Sequence, residues 1–152
     1  MLELNVSELY KIFSEAFSEH AGFWWKLVLE EKNHAALIRS GKDHYEPVNK
    51  FPTDLISSKL SVLEDTNAKI ILLIKEYASN TPSEEEAFNI ALELEQSGGE
   101  IHYQTFMEKG KAETISRVFE KLNGDDKDHA NRICTYMNNH DINIRNKKLN
   151  NT

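Results

Sequence analysis

Trp24-Trp25-Lys26-Leu27-Val28-Leu29-Glu30-Glu31-Lys32-Asn33-His34-Ala35-Ala36-Leu37-Ile38 reads as an apolar helical stripe interrupted by a carboxylate and an imidazole. Trp24, Leu27, Val28, Glu31, His34, Ala35 and Ile38 recur at steps of three and four, the spacing that gathers side chains on one face of an α-helix. Such a face packs inward, and there Glu31 and His34 are out of place. A buried carboxylate costs several kcal/mol unless it is paired or bound to a cation.

The same interruption occurs a second time. Moving 95 residues along the chain aligns Trp24 with Phe119, Leu27 with Leu122, Glu31 with Asp126, Lys32 with Lys127, His34 with His129, Ala35 with Ala130 and Ile38 with Ile133. In each copy the acid and the histidine are three residues apart, so both side chains leave one helix face and can converge on one point. A carboxylate oxygen and a neutral imidazole nitrogen together suit iron, manganese or zinc. One Glu-x-x-His on a helix is commonplace and reads equally as a buried hydrogen-bonded pair. Two aligned copies on apolar stripes point to a shared metal site.

The rest of the chain reads as helix as well. It has three prolines and six glycines and no sustained strand-like alternation, so the expected class is all-α. Leu2, Val6, Leu9, Tyr10, Phe13 and Phe17 predict a first helix to about Ser18. The stripe around Trp24 predicts a second, ending near Ser40-Gly41, and the short joint at Glu19 to Gly22 makes the two antiparallel. Residues Lys42 to Pro52 read as a connection. Leu55 to Tyr77 reads as a crossover helix with a break near Asp65-Thr66-Asn67. Thr81-Pro82-Ser83-Glu84 predicts a helix start, with Thr81 as cap, Pro82 in the first position and Glu84 completing a capping box. Glu84 to Glu86 then suit the positive end of the helix dipole rather than a ligand cluster. The third bundle helix runs through Phe88, Ala91, Leu92, Glu95, His102 and Phe106, and after a break near Gly110 the fourth runs through Ile115, Val118, Phe119, Leu122, His129, Ile133 and Met137. Trp24 and Trp25 are expected to pack, Cys134 to be a small buried residue, and the polar tail, residues 141–152, to fray.

Di-iron carboxylate bundles take one Glu from each of two helices and a Glu-x-x-His pair from each of the other two. On that pattern the first helix supplies Glu3 and the third supplies Glu95. The third helix is out of step by one residue, which a π-bulge at Gly98-Gly99 would absorb; otherwise Gln96 takes the place of Glu95. The hydroxyls of Tyr10 and Tyr103 are expected against the carboxylates. His102 falls on the stripe, as a core histidine or an added ligand.

The family resemblance is carried by Glu3 to Tyr10 followed by Phe23 to Ala35, by Ser83 to Ser97, and by Asp125-Asp126-Lys127-Asp128-His129. Together they resemble the rubrerythrin branch of the ferritin-like di-iron carboxylate superfamily. The resemblance implies a ferritin-like four-helix bundle over residues 1–140, built of two antiparallel helix pairs joined by a long crossover that contains an extra helix. It implies two iron ions, with manganese or zinc as alternatives, held by Glu3, Glu31, His34, Glu95, Asp126 and His129, and no haem. The implied activity is that of a peroxidase or ferroxidase: reducing peroxide, or oxidising Fe(II) with dioxygen or peroxide. It requires an external electron donor and a homodimer is expected. The chain departs from the family in having Asp126 in place of Glu, one methylene shorter. It also lacks the four-cysteine rubredoxin-type centre, because Cys134 is its one cysteine. The alternative is a degenerate bundle without redox activity that serves as a binding or structural domain.

Composition narrows the classes further. An excess of 25 acidic over 18 basic residues argues against nucleic-acid binding, where affinity comes mainly from neutralising phosphates. No apolar run approaches the roughly 20 residues needed to cross a bilayer. The opening Met1-Leu2-Glu3 has neither the basic nor the apolar region of a signal peptide, so a cytoplasmic location is expected.

Overall fold

A computed structural model describes residues 2–48, 60–97 and 128–145. Every regular element among them is helical: α1 (Leu2–Ala16), a 3-10 turn (Ser18–His20), α2 (Ala21–Tyr45), a second 3-10 turn (Glu46–Val48), α3 (Leu60–Tyr77) and α4 (Glu84–Ser97). A last helix, α5, is described over residues 128–139.

Pairwise contacts fix the helix directions. Ser7 donates to the carbonyl of Val28 and Ser14 to that of Ala21, so α1 and α2 run antiparallel. His20 meets Glu84 and Trp24 meets Phe88 at one constant offset, so α4 runs parallel to α2. α5 returns antiparallel to both, with Phe23 on Tyr136, Glu30 on Arg132, and Glu95 near His129. A bundle in which the third of four helices repeats the direction of the second requires a connection spanning its length. α3 lies in that connection and packs along α1, where Phe13 meets Tyr77. The shared core is Leu9, Tyr10, Phe13, Trp24, Leu27, Val28, Phe88, Ala91, Ile133 and Met137, all almost fully buried.

Local structure departs from the sequence expectations at five places. α2 passes through Ser40-Gly41 and continues to Tyr45. A glycine alone does not stop a helix; this one ends where Pro47 removes the next backbone donor. α3 has no break at Asp65-Thr66-Asn67, because those polar residues are used rather than strained: Asn67 accepts a 2.7 Å hydrogen bond from Asn5 of α1. The cap of α4 is Ser83, not Thr81. The Glu86 amide donates to the Ser83 hydroxyl, which places the N-cap two residues later, at Ser83, with Pro82 buried just outside the helix. Trp25 is 45 % exposed while its neighbour Trp24 is fully buried, since one helical residue turns the side chain by about 100°; Lys32 lies over the Trp25 ring.

The fifth departure is the tail, of which residues 141–145 are held rather than frayed. Asp141 has a φ of 57°, and the Ile142 amide bonds back to the carbonyl of Met137. This left-handed turn closes α5 and sends the chain back over α4. There Asn89, buried on α4, donates to the carbonyl of Asn143 and accepts from the amide of Arg145. Ile142 and Ile144 pack against the core.

Candidate metal centre

The two intruding residues of α2 are buried: Glu31 is 4 % exposed and His34 3 %. His129 of α5 is 1 % exposed and comes to meet them. One ligand-capable atom from each of Glu31, His34 and His129 falls within 4.8 Å of the others. The Nδ1 of His34 is 3.4 Å from one Glu31 oxygen and the Nδ1 of His129 is 2.9 Å from the other. The two imidazoles lie nearly parallel, with centroids 5.2 Å apart.

The directions of these atoms matter more than their distances. Glu31 Oε1 and His129 Nδ1 meet as a buried ion pair, though not in the geometry of a well-aligned hydrogen bond. Carboxylate oxygens and imidazole nitrogens that converge this closely from two helices are a geometry a shared cation can occupy.

Glu95 stands beside this trio. It is 7 % exposed, while its neighbour Gln96 faces solvent. One of its oxygens is 3.4 Å from His129 Nδ1, and the other accepts a 2.6 Å hydrogen bond from the Tyr10 hydroxyl. The Tyr10 contact expected from the sequence is therefore made with Glu95. Glu3, on the first turn of α1, lies within electrostatic reach of Glu31 and His34. Asp126, His102, Tyr103 and the Gly98-Gly99 step lie outside the described residues.

The charges respond as buried groups should. Burial alone would lower the His129 pKa, but the neighbouring Glu31 and Glu95 outweigh it and raise it to about 10. Burial pushes Glu31 up, yet His129 and His34 draw its carboxyl below the ordinary value. Glu95 ends above its ordinary value: burial and the Glu31 charge outweigh the help from His129 and Tyr10. Glu3 is raised as well, chiefly by burial and further by Glu31. Without a metal, the His129 imidazolium offsets the carboxylates around it.

A supporting layer lies behind His129. Its Nε2 is 3.2 Å from Glu30, and Glu30 is gripped by both terminal nitrogens of Arg132 at 2.6 and 3.2 Å. Arg132 Nε in turn meets Asp128 at 2.8 Å. A carboxylate on one imidazole nitrogen fixes the tautomer and turns the other nitrogen inward. Sequence reasoning missed Glu30 and Arg132 in this role. The one available signal was that Glu30 directly precedes the inward Glu31, which places it on the flank facing a neighbouring helix.

No family model, curated protein or solved structure matches the chain. No helix among the described residues is long and apolar enough to cross a membrane.

Proposed function

We propose that the chain is a ferritin-like metalloprotein of rubrerythrin type, a non-haem di-iron oxidoreductase that reduces peroxide or oxidises Fe(II). The observation that carries this reading is the buried meeting of Glu31, His34 and His129 from two helices, with their ligand-capable atoms within 4.8 Å of one another. Helix order supports it too: an antiparallel pair, a long connection containing α3, and a second pair starting parallel to α2.

The donor set fits such a centre. Glu31, His34, Glu95 and His129 supply carboxylate oxygens and imidazole nitrogens and no thiolate, which suits iron or manganese and also admits zinc. Glu3 and Asp126 would complete the six ligands of the family pattern. Iron held there would exchange electrons with peroxide or dioxygen.

The chain's own groups supply the rest. Glu30 and Arg132 hold the His129 ring in place. Tyr10 holds Glu95 by its hydroxyl. Trp24, Leu27, Val28 and Ile133 keep water from the neighbourhood, which strengthens every charge interaction inside. His129 carries a proton until a metal displaces it, so the site exchanges a proton for a cation on loading.

Anaerobic titration of the metal-free protein with Fe(II), followed by peroxide, tests the reading. An absorption band typical of oxo-bridged ferric pairs, absent in a His34→Ala variant, is expected. Iron uptake without that band would leave a mononuclear or redox-silent site, and no uptake would remove the metalloprotein reading.

A further inference from the structure

A buried redox centre needs a way to receive electrons, and the core contains a continuous file of aromatic rings. At its inner end the Tyr10 hydroxyl donates to Glu95. The Tyr10 ring is 5.7 Å from Trp24 between centroids. Trp24 touches Phe88 at 4.4 Å and Phe23 at 5.5 Å. Both phenylalanines stack on Tyr136, Phe23 at 4.0 Å and Phe88 at 5.6 Å. Tyr136 stacks at 4.2 Å on His140, which is exposed, and its hydroxyl is 3.0 Å from Nδ1 of His20. Tyr136 also lines an open cleft of about 380 Å³ between α2 and α5, together with Phe23, Lys26 and Arg132.

We infer that Tyr136, Trp24 and Tyr10 form an electron relay between that cleft and the carboxylate–histidine site, a role that rests on the redox function proposed above. Tyrosine and tryptophan are the oxidisable members of the file; Phe23 and Phe88 bridge the two of them that are not in direct contact.

The bookkeeping of protons is provided for. Peroxide is the terminal oxidant: two successive one-electron passes and two protons taken up from solvent convert it to two waters, and a one-electron donor at the cleft is oxidised once in each pass. When Tyr10 gives up an electron toward the site, its phenolic proton moves along the 2.6 Å hydrogen bond to Glu95. Trp24 returns an electron to Tyr10, and the proton comes back. The Trp24 indole N–H is buried and has no hydrogen-bond partner, so oxidised Trp24 keeps its proton and remains a strong oxidant. That suits a ring that passes the hole outward rather than holding it. Tyr136 reduces Trp24 and hands its proton to His20 Nδ1. His20 accepts there in the tautomer that carries its proton on Nε2, the nitrogen that faces Glu84. The donor then restores Tyr136, and His20 gives the proton back.

The test uses the full chain without metal. A ruthenium polypyridyl sensitiser with a sacrificial quencher oxidises exposed groups in a light flash, and frozen samples are read by electron paramagnetic resonance. Tyr10 has no exposure, so a radical there must arrive through the protein. Its signal is the part of the tyrosyl spectrum that disappears in Tyr10→Phe. Loss of that signal is expected in Trp24→Phe and in Tyr136→Phe, with no loss in Trp25→Phe, whose indole is exposed on the same helix. Absence of a Tyr10 radical in the wild-type chain, or wild-type yield in both relay variants, overturns the inference. Tyr136→Phe, half-buried and close in shape, decides if Trp24→Phe fails to fold. Because no metal takes part, failure of the relay and failure of the metal site are separate results, the latter read by metal uptake.

Discussion

Replacing His129 with Asn removes the imidazole that stands between Glu31 and Glu95, at 2.9 and 3.4 Å, and the consequence depends on pH. In the metal-free chain the folded His129 pKa is raised from 6.5 to about 10. A group raised in this way stabilises the fold fully below its unfolded pKa and loses that contribution as pH rises through the folded value. At 1.36 kcal/mol per pH unit, the interval gives an upper figure on the order of 5 kcal/mol. That agrees with the about 3–5 kcal/mol lost when one partner of a buried ion pair is removed. Urea unfolding of chelator-treated wild type and His129→Asn, at several pH values between about 6 and 10, reads the difference directly. Wild type should lead by about 3–5 kcal/mol near pH 6, and the lead should shrink steadily toward pH 10. A lead that is constant with pH, or that widens, would show that His129 is not charged between these carboxylates.

Arg132→Met frees Glu30 from its two-point grip. Metal affinity should fall by about 10–100-fold in a chelator competition titration, while the fold is retained. Metal loading at neutral pH should release about one proton from His129, visible as a buffer-dependent heat in calorimetry; a heat independent of buffer would contradict it. Ser83→Ala removes the cap of the Glu86 amide and should cost about 1 kcal/mol in a thermal melt, whereas Thr81→Ala should cost almost nothing. Gly41→Ala should raise stability by about 1 kcal/mol, because a Cβ there meets no atom within 4 Å.

How much was legible in the sequence follows from where each signal resides. Glu31, His34 and His129 could be read because they break apolar stripes, and a stripe is a local property of spacing. The all-helical class followed from the same periodicity. The placing of Glu95 over Gln96 was not legible, because it depends on how α4 rotates against Tyr10 and His129. Glu30 and Arg132 were hidden for the same reason: they meet only once α5 lies antiparallel on α2. At the start of α4 two capping signals overlapped. Ser83-Glu84-Glu85-Glu86 won because Pro82 is buried ahead of the helix rather than serving as its first residue. The tail looked polar, yet Ile142 and Ile144 alternate with Asn143 and Arg145, and Asn89 offers both a donor and an acceptor to receive that segment.

The most direct measurement is the metal content of the chain itself. Chelator-stripped protein, dialysed to equilibrium against Fe(II) or Mn(II) without oxygen and freed of loose ions, should retain about two metal ions per chain by mass spectrometry. The His34→Ala, His129→Ala double variant should retain none. Wild type that keeps no metal, or a double variant that keeps as much as wild type, would contradict the assignment of Glu31, His34 and His129 as a metal centre.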